Sequence, residues 1–165
     1  MKIKCFKPVI NATCKVLILG SVPSVKSRQN GFYYGNPANR FWKIMSEIFG
    51  VDFTAMSNDD KKTEILARGV ALSDVFSVCD IKGSADGSIK NAEFNDIPSL
   101  IRHTDIKTIY ITSKKAYIAF KKQFGKYFDS IGIPVINLPS TSGANRSKFP
   151  TDQALLTEWH RLFKV

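Results

Sequence analysis

Four apolar runs, each only six or seven residues long, limit what this chain can fold into: KVLILG at 15–20, VALSDVF at 70–76, KTIYIT at 107–112 and PVINLP at 134–139. Runs that short, rich in Val, Ile and Leu, read as strands buried on both faces, the habit of a parallel sheet. Between them lie stretches with helical spacing. Phe41, Trp42, Met45, Ile48 and Phe49 share one face up to Gly50, behind an Asn36-Pro37 pair that reads as cap and first helical residue. That predicts a helix over 37–49 with Asn39 in its first turn. Further helices are expected at 59–68 behind an Asn58-Asp59 cap, at 97–102, and at 114–124 with Ala116, Ile118, Ala119 and Phe120 as the apolar side. A last one follows Thr151, with Leu155, Leu156, Trp159, Leu162 and Phe163 inward. Strands alternating with helices predict an α/β fold, a three-layer α/β/α sandwich with a central, mostly parallel four-stranded sheet. Residues 77–96, with little periodicity and many small polar side chains, are expected to be an ordered surface loop.

The 165 residues, 44% of them hydrophobic, suffice for one domain spanning 1–165 with a substantial core. No apolar run is long enough to span a bilayer, and the opening MKIKCFKPVI is too short and interrupted for a signal peptide. The expectation is therefore a cytoplasmic protein, and a monomer is the simpler state. Cys5, Cys14 and Cys79 show neither CxxC nor His-paired spacing, so no disulfide framework, no metal and no cofactor is expected. The charge is more telling: 24 Lys and Arg against 14 Asp and Glu leave a net +10. A domain that basic suits a polyanionic partner, nucleic acid before an acidic membrane surface. Lys114, Lys115, Lys121, Lys122 and Lys126 equally suit the solvated face of one helix.

Ligands of open α/β sheets bind beyond the carboxyl ends of the strands, which puts two loops in one cleft. They are GSVPSVKSRQNGFYYGNPAN after the first strand and LPSTSGANRSKFP after the fourth. The first holds no GxGxxG or GxxxxGK[ST], which argues against a Rossmann or Walker phosphate cradle. Its Tyr33-Tyr34 pair can wall a pocket for a flat ring or simply pack half-buried. Asn39 carries an amide that both donates and accepts, as orienting a nucleophilic water requires; the plainer role is to tether a helix start. The second loop, full of hydroxyls, can approach a DNA backbone or only turn the chain. His103 and His160 stand in no nucleophile-elbow context, which argues against a Ser–His triad. No spacing pairs Asp74, Asp80, Asp86 or Asp96; Asp74, closing a strand, reads as structural, and Asp86, in the polar loop, as the one to reach a cleft.

Taken together, LILGSVPS at 17–24, YYGNPANRFWKI at 33–44 and LPSTSGANR at 138–146 resemble the motifs of the uracil-DNA glycosylase superfamily, in order and across nearly the whole chain. The second segment is similar to the mismatch-specific uracil-DNA glycosylases. The Gly-Ser-x-Pro opening, the tyrosine pair, GVALSDVFSVCDIKGSADGSIKN at 69–91 and Leu-Pro-Ser-Thr-Ser most resemble the hypoxanthine-DNA glycosylase branch. The resemblance implies a monofunctional enzyme that flips a deaminated base, hypoxanthine or uracil, out of double-stranded DNA and hydrolyses its N-glycosidic bond to begin base excision repair. By position it implies Asn39 as the catalytic, water-positioning residue and Tyr34 as the ring that stacks on the base. Ser21, Val22 and Ser113 would complete the base site. Ser140, Thr141, Ser142, Gly143, Ala144, Asn145 and Arg146 would hold the DNA. Four positions depart from the family pattern. Val22 replaces a water-positioning Asp or Asn, Leu138 a His that supports the leaving base, Ser113 an asparagine and Gly143 a proline. The first two departures open an alternative, a catalytically inactive binder of mismatched or abasic DNA on the same scaffold. A third reading, an unrelated small-molecule α/β enzyme, takes the basic charge as incidental.

Overall fold

The computed structural model describes all 165 residues, Met1–Val165. Its elements in chain order are β1 (Lys2–Lys4), β2 (Val16–Gly20), α1 (Val25–Asn30), α2 (Phe41–Phe49), α3 (Asn58–Ala67), β3 (Val70–Asp74), β4 (Phe76–Asp80), β5 (Lys90–Phe94), α4 (Ile97–Ile101), β6 (Thr108–Ile111), α5 (Lys114–Ser130), β7 (Val135–Asn137) and α6 (Asp152–Leu162). Strands β3, β2, β6 and β7 pair in that order, all parallel, as the central four-stranded sheet that the apolar runs predict. Successive side chains of a strand point to opposite faces, so β2 serves two cores. Val16 and Ile18 pack with Phe41, Trp42 and Met45 of α2, Ile65 of α3 and Trp159 of α6. Leu17 and Leu19 face Ile97 and Ile101 of α4 and Ala116, Phe120 and Phe128 of α5.

Several boundaries differ from the sequence-based expectation, each for a local reason. Helix α2 begins at Phe41 rather than Pro37. The Asn36 carbonyl oxygen accepts from Ala38 N at 3.0 Å and that of Asn39 from Phe41 N at 2.9 Å. Asparagine side chains that satisfy the backbone two residues on compete with the helix, so 36–40 is a pair of turns and Asn39 stands just outside the first helical turn. Helix α3 is capped by Ser57, whose hydroxyl accepts from Asp60 N at 3.1 Å, not by Asn58-Asp59. Helix α5 runs on to Ser130 because Phe128 continues its buried stripe, while Ile118 points outward, 59% exposed. A short helix, α1, lies inside the first loop between its Ser24 cap and a left-handed Gly31.

The largest correction concerns residues 77–96, which are not a loop. Strands β4 and β5 pair antiparallel within them, and β1 joins β4 to complete a second, three-stranded sheet in the order β1-β4-β5. The β4–β5 register shifts twice, and β5 buries no residue fully, so the period-two signal of a half-buried strand is absent. This small sheet contributes Ile3, Phe76 and Cys79 to the α4–α5 core. No helix is long and apolar enough to cross a membrane.

Candidate active site

Beyond the carboxyl ends of the central strands lies a cleft of about 390 Å³. Both loops expected to share a cleft line it, together with a third that connects β4 and β5. Its floor is set by strand register. Parallel pairing places Asp74, the last residue of β3, beside Gly20, the last of β2. A side chain on Gly20 would bring its Cβ to 2.7 Å from Asp74 Oδ1 and 3.7 Å from the Tyr34 hydroxyl, so only glycine leaves that floor bare.

Asp74 is the most perturbed carboxyl of the cleft. It is 3% exposed, its Oδ2 is buried without a hydrogen-bond partner, and its side chain lines the cleft. Burial, seconded by the negative charge of Asp86, pushes it up to about 7. Asp86 stands on a single 3-10 turn in the β4–β5 connection and is fully engaged. Ser21 Oγ donates to its Oδ1 at 2.7 Å and Ser113 Oγ to its Oδ2 at 2.6 Å. Ser113 Oγ also accepts from Ala116 N as the cap of α5. One carboxylate thereby ties together the loops that follow β2, β4 and β6.

The tyrosine pair divides. Tyr33 belongs to the core: it is buried, its hydroxyl donates to the carbonyls of Phe6 and Lys7, and its own carbonyl accepts from the Trp42 indole at 3.0 Å. Tyr34 takes a left-handed backbone conformation (φ 54°) that turns its ring into the cleft. Phe41 stacks on one of its faces at 3.8 Å between centroids and 16° between planes. Its hydroxyl is buried without a partner, and burial raises that phenol well above the usual range.

Asn39 and the second loop meet at the other wall. The Asn39 carbonyl oxygen accepts from the Thr141 hydroxyl at 2.7 Å as well as from Phe41 N, leaving its NH2 uncommitted. Arg40 N donates to Thr141 O at 2.9 Å, so two consecutive residues grip one threonine. Arg40 itself is 1% exposed, and its Nη1 donates to the carbonyls of Phe149 and Thr151, fixing the far end of the loop. Within the loop Asn145 Nδ2 donates to Ser140 O at 2.8 Å, and Ser142 caps the 3-10 turn Gly143–Ser147.

Of the residues expected at the site, Ser21, Val22, Tyr34, Asn39, Ser113, Ser140, Thr141, Ser142, Ala144 and Asn145 line this one cleft. Gly143 and Arg146 do not. Gly143 packs against Ala38, and Arg146 lies 3.7 Å from Asp152 outside the cleft. Val22 offers no polar atom, and Leu138 is buried in the core. Reading the sequence missed Asp74, set aside as structural, although its position at a strand's carboxyl end was a usable signal. Gly20, the last residue of β2, and Thr112, the residue that follows β6, were missed too, and both line the cleft.

A model of the uracil DNA glycosylase superfamily matches residues 7–164. The hypoxanthine DNA glycosylase of Methanosarcina acetivorans is 31% identical over 160 residues, covering 96% of each chain. The hypoxanthine DNA glycosylase of Methanosarcina barkeri is 29% identical over 166 residues, 99% of each. The solution NMR structure of a candidate uracil DNA glycosylase from Methanosarcina acetivorans superposes with a TM-score of 0.81 at 30% identity, covering 98% of this chain and 96% of that one.

Proposed function

Because the chain belongs to the uracil DNA glycosylase superfamily, and so is a DNA glycosylase that hydrolyses an N-glycosyl bond, we propose that its cleft receives a deaminated base, hypoxanthine or uracil, flipped out of duplex DNA. The observation that carries this reading is the meeting of Asn39 with Thr141, 102 residues away, at 2.7 Å on the wall of a cleft that Tyr34 also lines. The cleft's volume falls within the range of small-ligand sites, about 300–1,000 Å³. Phe41 backs one face of Tyr34 and leaves the other to stack on the base.

Asn39 positions the water. Of the two donors to its Oδ1, Phe41 N–H is fixed by the helix start, while the Thr141 hydroxyl can rotate. When that hydroxyl turns aside, Oδ1 accepts from a water while the backbone bond keeps the amide aimed. The water attacks C1′ as the sugar takes on cationic character and the base departs. Placement of the water and stabilisation of the leaving base account for the chemistry, with no covalent intermediate. Extrusion costs a few kcal/mol and least at a mispaired base, which favours deaminated bases as substrates. The loop from Ser140 to Asn145 enters the minor groove, and Arg146 meets phosphate.

The test is a single-turnover nicking assay on duplexes that each hold one hypoxanthine, uracil, xanthine or mispaired thymine, followed by alkali. Asn39→Ala is expected to lower cleavage of the preferred duplex by about 100-fold or more. Binding of every duplex with cleavage of none would overturn the reading.

A further inference from the structure

The departing base takes with it the electron pair of the broken bond, and a proton donor beside it lowers that barrier. Most polar side chains of the cleft are already committed. The hydroxyls of Ser21 and Ser113 serve Asp86, that of Thr141 serves Asn39, and that of Tyr33 serves backbone carbonyls. Two buried oxygens of the cleft have no partner, Asp74 Oδ2 and the Tyr34 hydroxyl, and both stand around the bare floor over Gly20. Buried polar atoms without partners are uncommon, and a pair of them in one cleft is what a site built for a polar ligand leaves behind. Only one of the two is an acid near neutrality, since burial makes the Tyr34 phenol a weaker acid than usual.

Resting on the glycosylase reading above, we propose that the Asp74 carboxyl is a catalytic residue, the proton donor to the departing base. The C1′–N bond breaks with its electron pair going to the base, and the base takes the Asp74 proton. Water adds its oxygen to C1′ and releases one proton to solvent. A proton from solvent then restores the Asp74 carboxyl, so no net proton is gained or lost.

The surroundings favour the protonated carboxyl. The ionisable groups around Asp74 are Asp86, the phenols of Tyr33 and Tyr34, and the thiols of Cys5 and Cys79. The phenols and thiols are all shifted upward by burial and carry no charge at neutral pH, so Asp86 is the charge that acts on Asp74. That charge opposes its ionisation.

The experiment measures single-turnover excision of the base found to be cleaved, from about pH 6 to about pH 9, for the wild type, Asp74→Asn and Asp74→Ala. The wild-type rate is expected to fall about tenfold per pH unit above about 7. Asp74→Asn, nearly isosteric and still a hydrogen-bond donor, is expected to be about 100-fold slower at pH 6 and level across the range. Asp74→Ala is expected to be slower again. An alkaline fall that persists in Asp74→Asn, or a wild-type rate in Asp74→Ala, overturns the role of Asp74 and leaves the glycosylase standing. Where Asp74→Ala fails to fold, the asparagine variant decides. A wild type that cleaves none of the duplexes overturns the glycosylase reading and this inference with it.

Discussion

A carboxyl held dry and unpartnered works against folding whenever it is ionised. Asp74 sits at about 7 in the folded chain against an ordinary value of 3.8, so its folded form binds its proton more tightly than the unfolded chain does. Its contribution to stability is full below about pH 4 and is lost as pH rises toward 7. Asp74→Asn removes the charge without changing the shape. It is expected to be more stable than the wild type at pH 8, on the order of 4 kcal/mol, with the gap closing toward pH 4. Thermal melts of the two proteins across that range check it, and a gap independent of pH would contradict the burial of an ionisable Asp74. Stability given up at a site for chemistry is a common trade. At this scale the sequence was only partly legible. Asn39 stood out because Asn36 already reads as the helix cap, which leaves a second amide in the expected first turn without a folding role of its own. Tyr33 and Tyr34 are the same residue side by side, and what separates them is the positive φ of Tyr34, a backbone property no side-chain pattern encodes. Asp74 looked structural because its lack of a partner depends on Gly20 lying beside it, which only the strand register decides.

Elements carried the clearest signal where they were buried on both faces. Strands β2, β3 and β6 were readable because apolar residues fill most of their positions and nearly all of those positions are buried. The second sheet was not, because β5 is largely exposed and its pairing slips. Yet the connection within that sheet delivers Asp86, whose two oxygens hold Ser21 and Ser113. A carboxylate accepting two short hydroxyl bonds at a half-buried position is worth about 1–3 kcal/mol, and its loss loosens two cleft loops together. Asp86→Asn is therefore expected to lower stability by about that amount, read from urea titrations. It also removes the negative neighbour of Asp74. The alkaline fall in excision rate is then expected to begin at a lower pH than in the wild type, because Asp74 gives up its proton more readily. An unchanged pH profile would mean that the two carboxyls do not feel each other.

Over the whole molecule, charge and cleft act together. Only seven of the 24 Lys and Arg side chains lie within ion-pair distance of a carboxylate, namely Lys15, Arg40, Lys43, Arg68, Lys121, Arg146 and Arg161. The remaining cations have no carboxylate within that distance to compete with phosphate, so the net +10 suits an enzyme that acts on DNA. Arg146 is the informative exception. It lies 3.7 Å from Asp152, about half exposed, and a surface pair of that kind is worth at most about 1 kcal/mol, little enough to exchange for a phosphate. Phosphate neutralisation releases condensed counterions, so the logarithm of the binding constant should fall linearly with the logarithm of salt, by about 0.9 for each phosphate met. Binding of an undamaged duplex is expected to weaken along such a line. Arg146→Ala should lower the magnitude of the slope by about 0.9 while leaving the choice among damaged bases unchanged, since a phosphate contact carries no base information. Fluorescence anisotropy over a salt series, with nicking assays in parallel, measures both. An unchanged slope would place Arg146 off the DNA and leave its charge to Asp152, whereas a changed base preference would put it at the base instead of the backbone.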